Sequence, residues 1–176
     1  MERTCSVAPV DAVGPATRSA RRPRFAYSTR LRAAALERCG GVTAVVILAE
    51  HDGKIILVEQ SRVPLGGRKC IELPAGLVGD EDPDATVEGT AVKELEEETG
   101  FTAQRVERLG EFHSSPGMVA EGFTLVRAHD VKPCGLPVEE GIDVHLVERE
   151  RIGEFLERKR GEGAAIDVKL LLLLDY

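Results

Sequence analysis

Glu94, Glu97 and Glu98 stand at i, i+3 and i+4 in the stretch AVKELEEETGF, residues 91–101, with Glu96 between them. On a helix turning about 100° per residue this spacing sends three carboxylates to one side, and Glu96 points away toward solvent. Crowded like charges repel, so the cluster needs either water or a cation. Oxygen ligands at this density suit a hard divalent ion, Mg²⁺ or Mn²⁺. A bare acidic run is usually a solvated face. Here the triad borders the stripe Ala91, Val92, Leu95 and Thr99, which should face a core.

The spacing predicts a helix from Thr86 to Thr99, closed by Gly100. Gly89 is its weak point, costing about 1 kcal/mol relative to Ala. Upstream, GVTAVVILAE and KIILVEQSRV read as strands joined by a turn at HDG, residues 51–53. CIELPAG reads as a third strand ending in a Pro-Ala-Gly bend, and an acidic loop, residues 79–84, leads into the helix. RVERLGEFH and FTLVRAHDV read as strands around the loop SSPGMVAEG, and EEGIDVHLVE as a loop and a strand. RERIGEFLERKR and AAIDVKLLLLL read as helices, the second buried through LLLLL at 170–174. The mixture predicts an α/β fold, a mixed sheet between helical layers.

A chain of 176 residues is long enough for one domain with a sizeable core. Aromatics are 4% and tryptophan is absent, so that core must be aliphatic. Residues 1–38 read as a basic arm, with eight basic side chains (all Arg) against three acidic. The remainder, residues 39–176, holds fifteen basic against twenty-seven acidic, a net −12. An acidic body argues against nucleic acid as a ligand, since phosphate neutralisation needs a basic face. LLLLL is too short to cross a bilayer, so no membrane partner is expected. Cys5, Cys39, Cys70 and Cys134 form no CxxC pair, and free thiols without a secretory segment point to a cytoplasmic protein.

KELEEETGF resembles the second half of the Nudix box, a family signature of Gly, five residues, Glu, seven residues, then Arg-Glu-apolar-x-Glu-Glu-x-Gly-apolar. Lys93, Glu94, Leu95, Glu97, Glu98, Gly100 and Phe101 fill that half, with Lys93 in place of the usual Arg. The box Gly is Gly79 by counting, or Gly76 if ELPAG is the anchor and three residues are inserted. On either count the early Glu is lost or displaced to Glu81. ELPAGLV is similar to the strand entering the box in nucleoside-diphosphate-sugar hydrolases such as ADP-ribose pyrophosphatases. The resemblance spans roughly Gly41 to Leu174.

It implies the Nudix α/β/α sandwich and metal-dependent hydrolysis of a nucleoside diphosphate sugar, ADP-ribose foremost. Other sugar nucleotides, NADH, or nucleotide binding without turnover are the alternatives. Glu94, Glu98 and Glu97 are the implied metal ligands, joined by a carbonyl of Ala75 or Gly76. Glu140, Glu139 and Glu97 compete as general base. Arg62, Pro116, Met118 and Glu121 are the implied substrate contacts. His113 closes a strand with no ligand partner spaced to join it. The resemblance further implies a homodimer that packs its N-terminal arm on the partner.

Overall fold

Asp52 and Gly53 both carry positive φ, 50° and 74°, which makes the tight reversal expected at HDG. It joins β2 (Glu50–His51) to β3 (Lys54–Arg62), with Glu50 opposite Ile55. In this computed structural model residues 44–80, 82–117 and 121–174 are described.

Ahead of the reversal lies β1 (Ala44–Leu48); after it come β4 (Arg68–Glu72) and β5 (Ala75–Leu77). Helix α1 (Val87–Thr99) follows, then β6 (Phe101–Thr102), β7 (Arg105–His113), β8 (Gly122–His129), β9 (Lys132–Pro133) and β10 (Ile142–Glu148). Helix α2 (Ile152–Gly161) and β11 (Ala165–Ile166) lead to a 3₁₀ segment, Val168–Leu174.

One sheet runs β5-β1-β8-β7, and another β10-β3-β4-β11 with β2 beside β3; β6 and β9 form a small pair. Both larger sheets are mixed. β1 and β8 are parallel, as are β4 and β11, and the other neighbours are antiparallel.

Strand periodicity of two divides the aliphatic residues between two cores. Val46, Leu48, Ile55 and Leu57 pack in one core with Ile152 and Phe155 of α2. Val45, Ile47 and Ile56 face the other, with Ala91 and Leu95 of α1. The sheets thus lie between a helix on each side, as the sequence predicts. No helix among the described residues is long and apolar enough to cross a membrane.

Two expectations change. ELPAG is not a bend at the end of a strand: Ala75–Leu77 is itself a strand, crossing to the other sheet to pair antiparallel with β1. Pro74 lies at the crossing and lacks an N–H, but its carbonyl accepts from Ile47 N–H at 2.9 Å. The stretch AAIDVKLLLLL is not one buried α-helix. Ala165–Ile166 pairs in parallel with Cys70–Ile71, and Asp167 then caps the 3₁₀ segment by accepting Lys169 N–H at 2.8 Å. A 3₁₀ repeat cannot bury every leucine on one side; Leu170 is buried while Leu171 is 59% exposed.

Candidate active site

α1 begins where Thr86 Oγ1 accepts Gly89 N–H at 3.1 Å, and ends at Gly100, whose φ of 73° and N–H to Glu96 O close the last turn. Between these caps it buries Thr90, Ala91, Leu95, Glu98 and Thr99. Glu98 therefore lies within the buried stripe, not at its edge, and Val92 is only half-buried. The reason is a polar partner that a helical wheel does not contain. Ala75 N–H, in the β4-to-β5 crossing, donates to Glu98 Oε2 at 3.0 Å, and Gln60 Nε2 reaches Oε1 at 3.5 Å.

One turn earlier, Glu94 lies against Gly76. A Cβ at Gly76 would overlap the Glu94 side chain, so only glycine allows this approach. Ala75, Gly76, Glu94 and Glu98 are thereby brought together. Burial pushes the Glu98 carboxyl up to about 7, and the Glu94 charge adds to the rise, against the pull of Ala75 N–H, Arg62 and Gln60. A cation placed between the two carboxylates would relieve both their burial and their mutual repulsion.

Glu97 takes a different place. It is exposed, and Lys93 Nζ donates to its Oε2 at 2.8 Å. Lys93 thus meets Glu97, a contact the sequence does not distinguish from one to Glu94. The Glu97 carbonyl accepts Glu139 N–H at 2.9 Å, and Gly100 O accepts Cys134 N–H at 2.9 Å. These bonds fasten the loop before β10 to the end of α1, so Glu139 and Glu140 stand exposed beside the carboxylate helix.

Arg62 lies at the end of β3, beside Arg68 of β4. Its Nε and Nη2 donate to the two oxygens of Glu72 at 2.7 and 2.5 Å. Sequence reasoning missed Glu72, although a signal was present: a charged residue inside the apolar strand CIELP must be paired if buried. Arg62, Ala75, Gly76 and Glu121 line one cleft of about 460 Å³. Glu121 is steadied by Ser114 Oγ, which donates to its Oε2 at 3.0 Å. Glu94 lines a neighbouring hollow of about 490 Å³ with Asp80 and Asp82. Pro116 is exposed in a turn and is not among the residues lining the cleft. Met118 and Glu81 fall outside the described residues, as does the arm, residues 1–38. His113 ends β7.

Among the described residues no three His, Cys, Asp or Glu side chains form a ready-made metal cage. A hard divalent ion such as Mg²⁺ keeps several waters and binds through one or two carboxylates plus substrate phosphates. Glu94 and Glu98, with the Ala75–Gly76 backbone between them, have the chemistry for such an ion.

The NUDIX domain model matches residues 40–165. The ADP-ribose pyrophosphatase of Bacillus subtilis (strain 168) is 49% identical over 80 residues, 44% of this chain and 40% of that protein. The aligned chain thus spans less than half of that relative's length. The methanol dehydrogenase activator of Bacillus methanolicus is 33% identical over 141 residues, 77% of this chain and 71% of the relative. Among solved structures, an ADP compounds hydrolase superposes with a TM-score of 0.58 at 25% identity, covering 68% of this chain and 64% of its own. With the family model matching well over half of its residues, the carboxylate helix included, the chain belongs to the NUDIX domain family.

Proposed function

We propose that this protein is a metal-dependent pyrophosphohydrolase that cleaves the diphosphate of a nucleoside diphosphate sugar, ADP-ribose foremost, to AMP and ribose 5-phosphate. The observation that carries it is the buried Glu98 carboxylate, fixed by Ala75 N–H and facing the Glu94 approach to Gly76. The printed names of an ADP-ribose pyrophosphatase and an ADP compounds hydrolase support an ADP-linked substrate.

Glu94 and Glu98 would hold the ion, with Glu97 and a carbonyl of Ala75 or Gly76 as further ligands. When bound there, Mg²⁺ or Mn²⁺ would supply charge neutralisation at the diphosphate and would make an attacking water more acidic. Ala75 N–H keeps one Glu98 oxygen in place, which leaves the other lone pairs for ligation. Arg62, anchored by Glu72 through two of its nitrogens, presents the rest of its guanidinium to the cleft, where its N–H groups donate to phosphate or ribose oxygens. Glu121, held by Ser114, offers an acceptor for sugar hydroxyls in the same cleft.

Water attacks one phosphorus, the bond from that phosphorus to the bridging oxygen breaks, and the oxygen leaves with the second phosphate. The water proton passes to a carboxylate base. Glu139 and Glu140 are the candidates on the loop tied to α1, and Glu140, next to the tether, is preferred. Glu97 is engaged by Lys93 and is the weaker base.

The test is a panel of ADP-ribose, GDP- and UDP-sugars and NADH incubated with the protein and Mg²⁺, with products identified by chromatography. ADP-ribose turnover to AMP and ribose 5-phosphate is expected. Binding of these compounds with no product from any of them would make the chain a nucleotide-binding module instead.

A further inference from the structure

The cleft beside Gly76 carries a second cation that neither the carboxylate helix nor Arg62 accounts for. Lys169, from the 3₁₀ segment Val168–Leu174, lines the same cleft as Arg62, Ala75 and Glu121, and Asp167 lines it with Lys169. The parallel pairing of β11 with β4 sets Ile166 opposite Ile71, and Asp167 N–H then donates to Ile71 O at 3.0 Å. Asp167 is thus delivered next to Glu72, the anchor of Arg62. Burial, then the charge and hydrogen bonding of Glu72 and the charge of Asp167, push the Cys70 thiol up to about 12.

Asp167 does two jobs at once. Its Oδ1 accepts Lys169 N–H at 2.8 Å, and its carboxylate pairs with Lys169 Nζ. The ammonium also lies 5.9 Å from the centre of the Phe123 ring, which is stacked on Phe112 at 5.7 Å. A lysine on a free surface loses much rotamer freedom when it binds a ligand. Here the stem is held in advance by a mostly buried carboxylate and an aromatic face. An ammonium has three donors and Asp167 does not use them all, so donors remain for an anion in the cleft. Arg62 is built on the same plan, a cation seated on a buried carboxylate at the wall of the cleft.

We propose that Lys169 is a substrate-contacting residue that binds phosphate oxygens of the nucleoside diphosphate, with Asp167 as its positioning residue. This rests on the function proposed above and adds a site from the C-terminal segment, outside the carboxylate box. Two cations, Arg62 at the end of β3 and Lys169 in the 3₁₀ segment after β11, then line the cleft for one doubly charged substrate, and removing one weakens binding without touching the reacting water.

The experiment is steady-state kinetics with ADP-ribose and Mg²⁺ on the full chain, for the parent, Lys169→Met, Lys169→Arg and the double variant Asp167→Asn/Lys169→Met. Melting temperatures accompany each. The double variant leaves no buried carboxylate unpaired, so it reports on the contact even where Lys169→Met folds poorly. A lost charge-assisted contact should raise KM about tenfold in both Met variants, with kcat within about twofold, and Lys169→Arg should recover most of the affinity. Parental KM in a folded Lys169→Met or double variant overturns the inference, leaves the pair a fastener for the C-terminal segment, and leaves the function standing. A parent protein that cleaves no sugar nucleotide overturns the function and the inference with it.

Discussion

Gly76 is the residue on which the carboxylate site turns, because an added Cβ meets the flexible end of Glu94 and not backbone. Gly76→Ala is therefore expected to leave the melting temperature near that of the parent while displacing Glu94. A misplacement on the order of 1 Å costs about 10²-fold in rate, so kcat/KM should fall by about that factor, checked by ADP-ribose turnover beside a thermal melt. Lys93→Ala should change stability by about 0.5 kcal/mol or less, the contribution of an exposed i, i+4 pair, and Lys93→Arg should be tolerated. The types and spacing of Glu94, Glu97 and Glu98 were legible in the sequence. Their division was not: which carboxylate is buried depends on Ala75 N–H, a backbone donor from a distant strand, and which one meets Lys93 depends on side-chain rotamers. Glu72 and Lys169 were hidden because their partners, Arg62 and the cleft, are set by strand register.

At the scale of the element, α1 links the core to the site. Leu95 is fully buried against Val45, Ile47 and Val126, so Leu95→Ala should cost about 2–5 kcal/mol in a urea titration, with the folded fraction still binding Mn²⁺. Thr86→Ala removes the N-cap and should cost about 1 kcal/mol. α2 is fixed differently. Glu59 of β3 accepts from Lys159 Nζ at 2.6 Å and meets His145 Nε2 at 2.8 Å. Burial works against the charged Glu59, but the bonds from Lys159 and His145 outweigh it and hold its carboxyl below 4.5. Its stabilising share is therefore present above that value and is lost as pH falls through the lower folded value. The hydrogen bond to Glu59 holds the Lys159 ammonium above 10.5, so its share is complete below that and lost as pH rises through the higher folded value. Lys159→Met should flatten the acid limb of stability against pH, measured as urea midpoints through 4.5. The strands and α1 were legible from period and caps. The C-terminal segment was not, because a run of leucines carries no period to separate an α-helix from a strand followed by a 3₁₀ turn.

For the molecule as a whole, the layered α/β architecture followed from alternating apolar strands and one amphipathic helix, while the crossing of β5 between sheets needed long-range pairing that no local signal encodes. The basic arm, residues 1–38, lies outside the described residues; with +5 against −12 on residues 39–176, attraction between them is expected. We propose a homodimer in which part of that arm packs on the partner. Light scattering should give a dimer for the full chain and a smaller species for a truncation starting at Arg38; a full-length monomer with unchanged activity on truncation sinks this arrangement. The central claim is that Glu98 at the Ala75–Gly76 crossing holds the divalent ion for diphosphate hydrolysis. Its most direct test is ADP-ribose turnover against Mg²⁺ concentration for the parent and Glu98→Gln, which keeps size and an oxygen but loses the charge. The account predicts that the parent is active, stops on chelation, and loses about 10²-fold or more in the variant. Turnover by Glu98→Gln close to the parent's, or parental turnover that survives chelation, would contradict it.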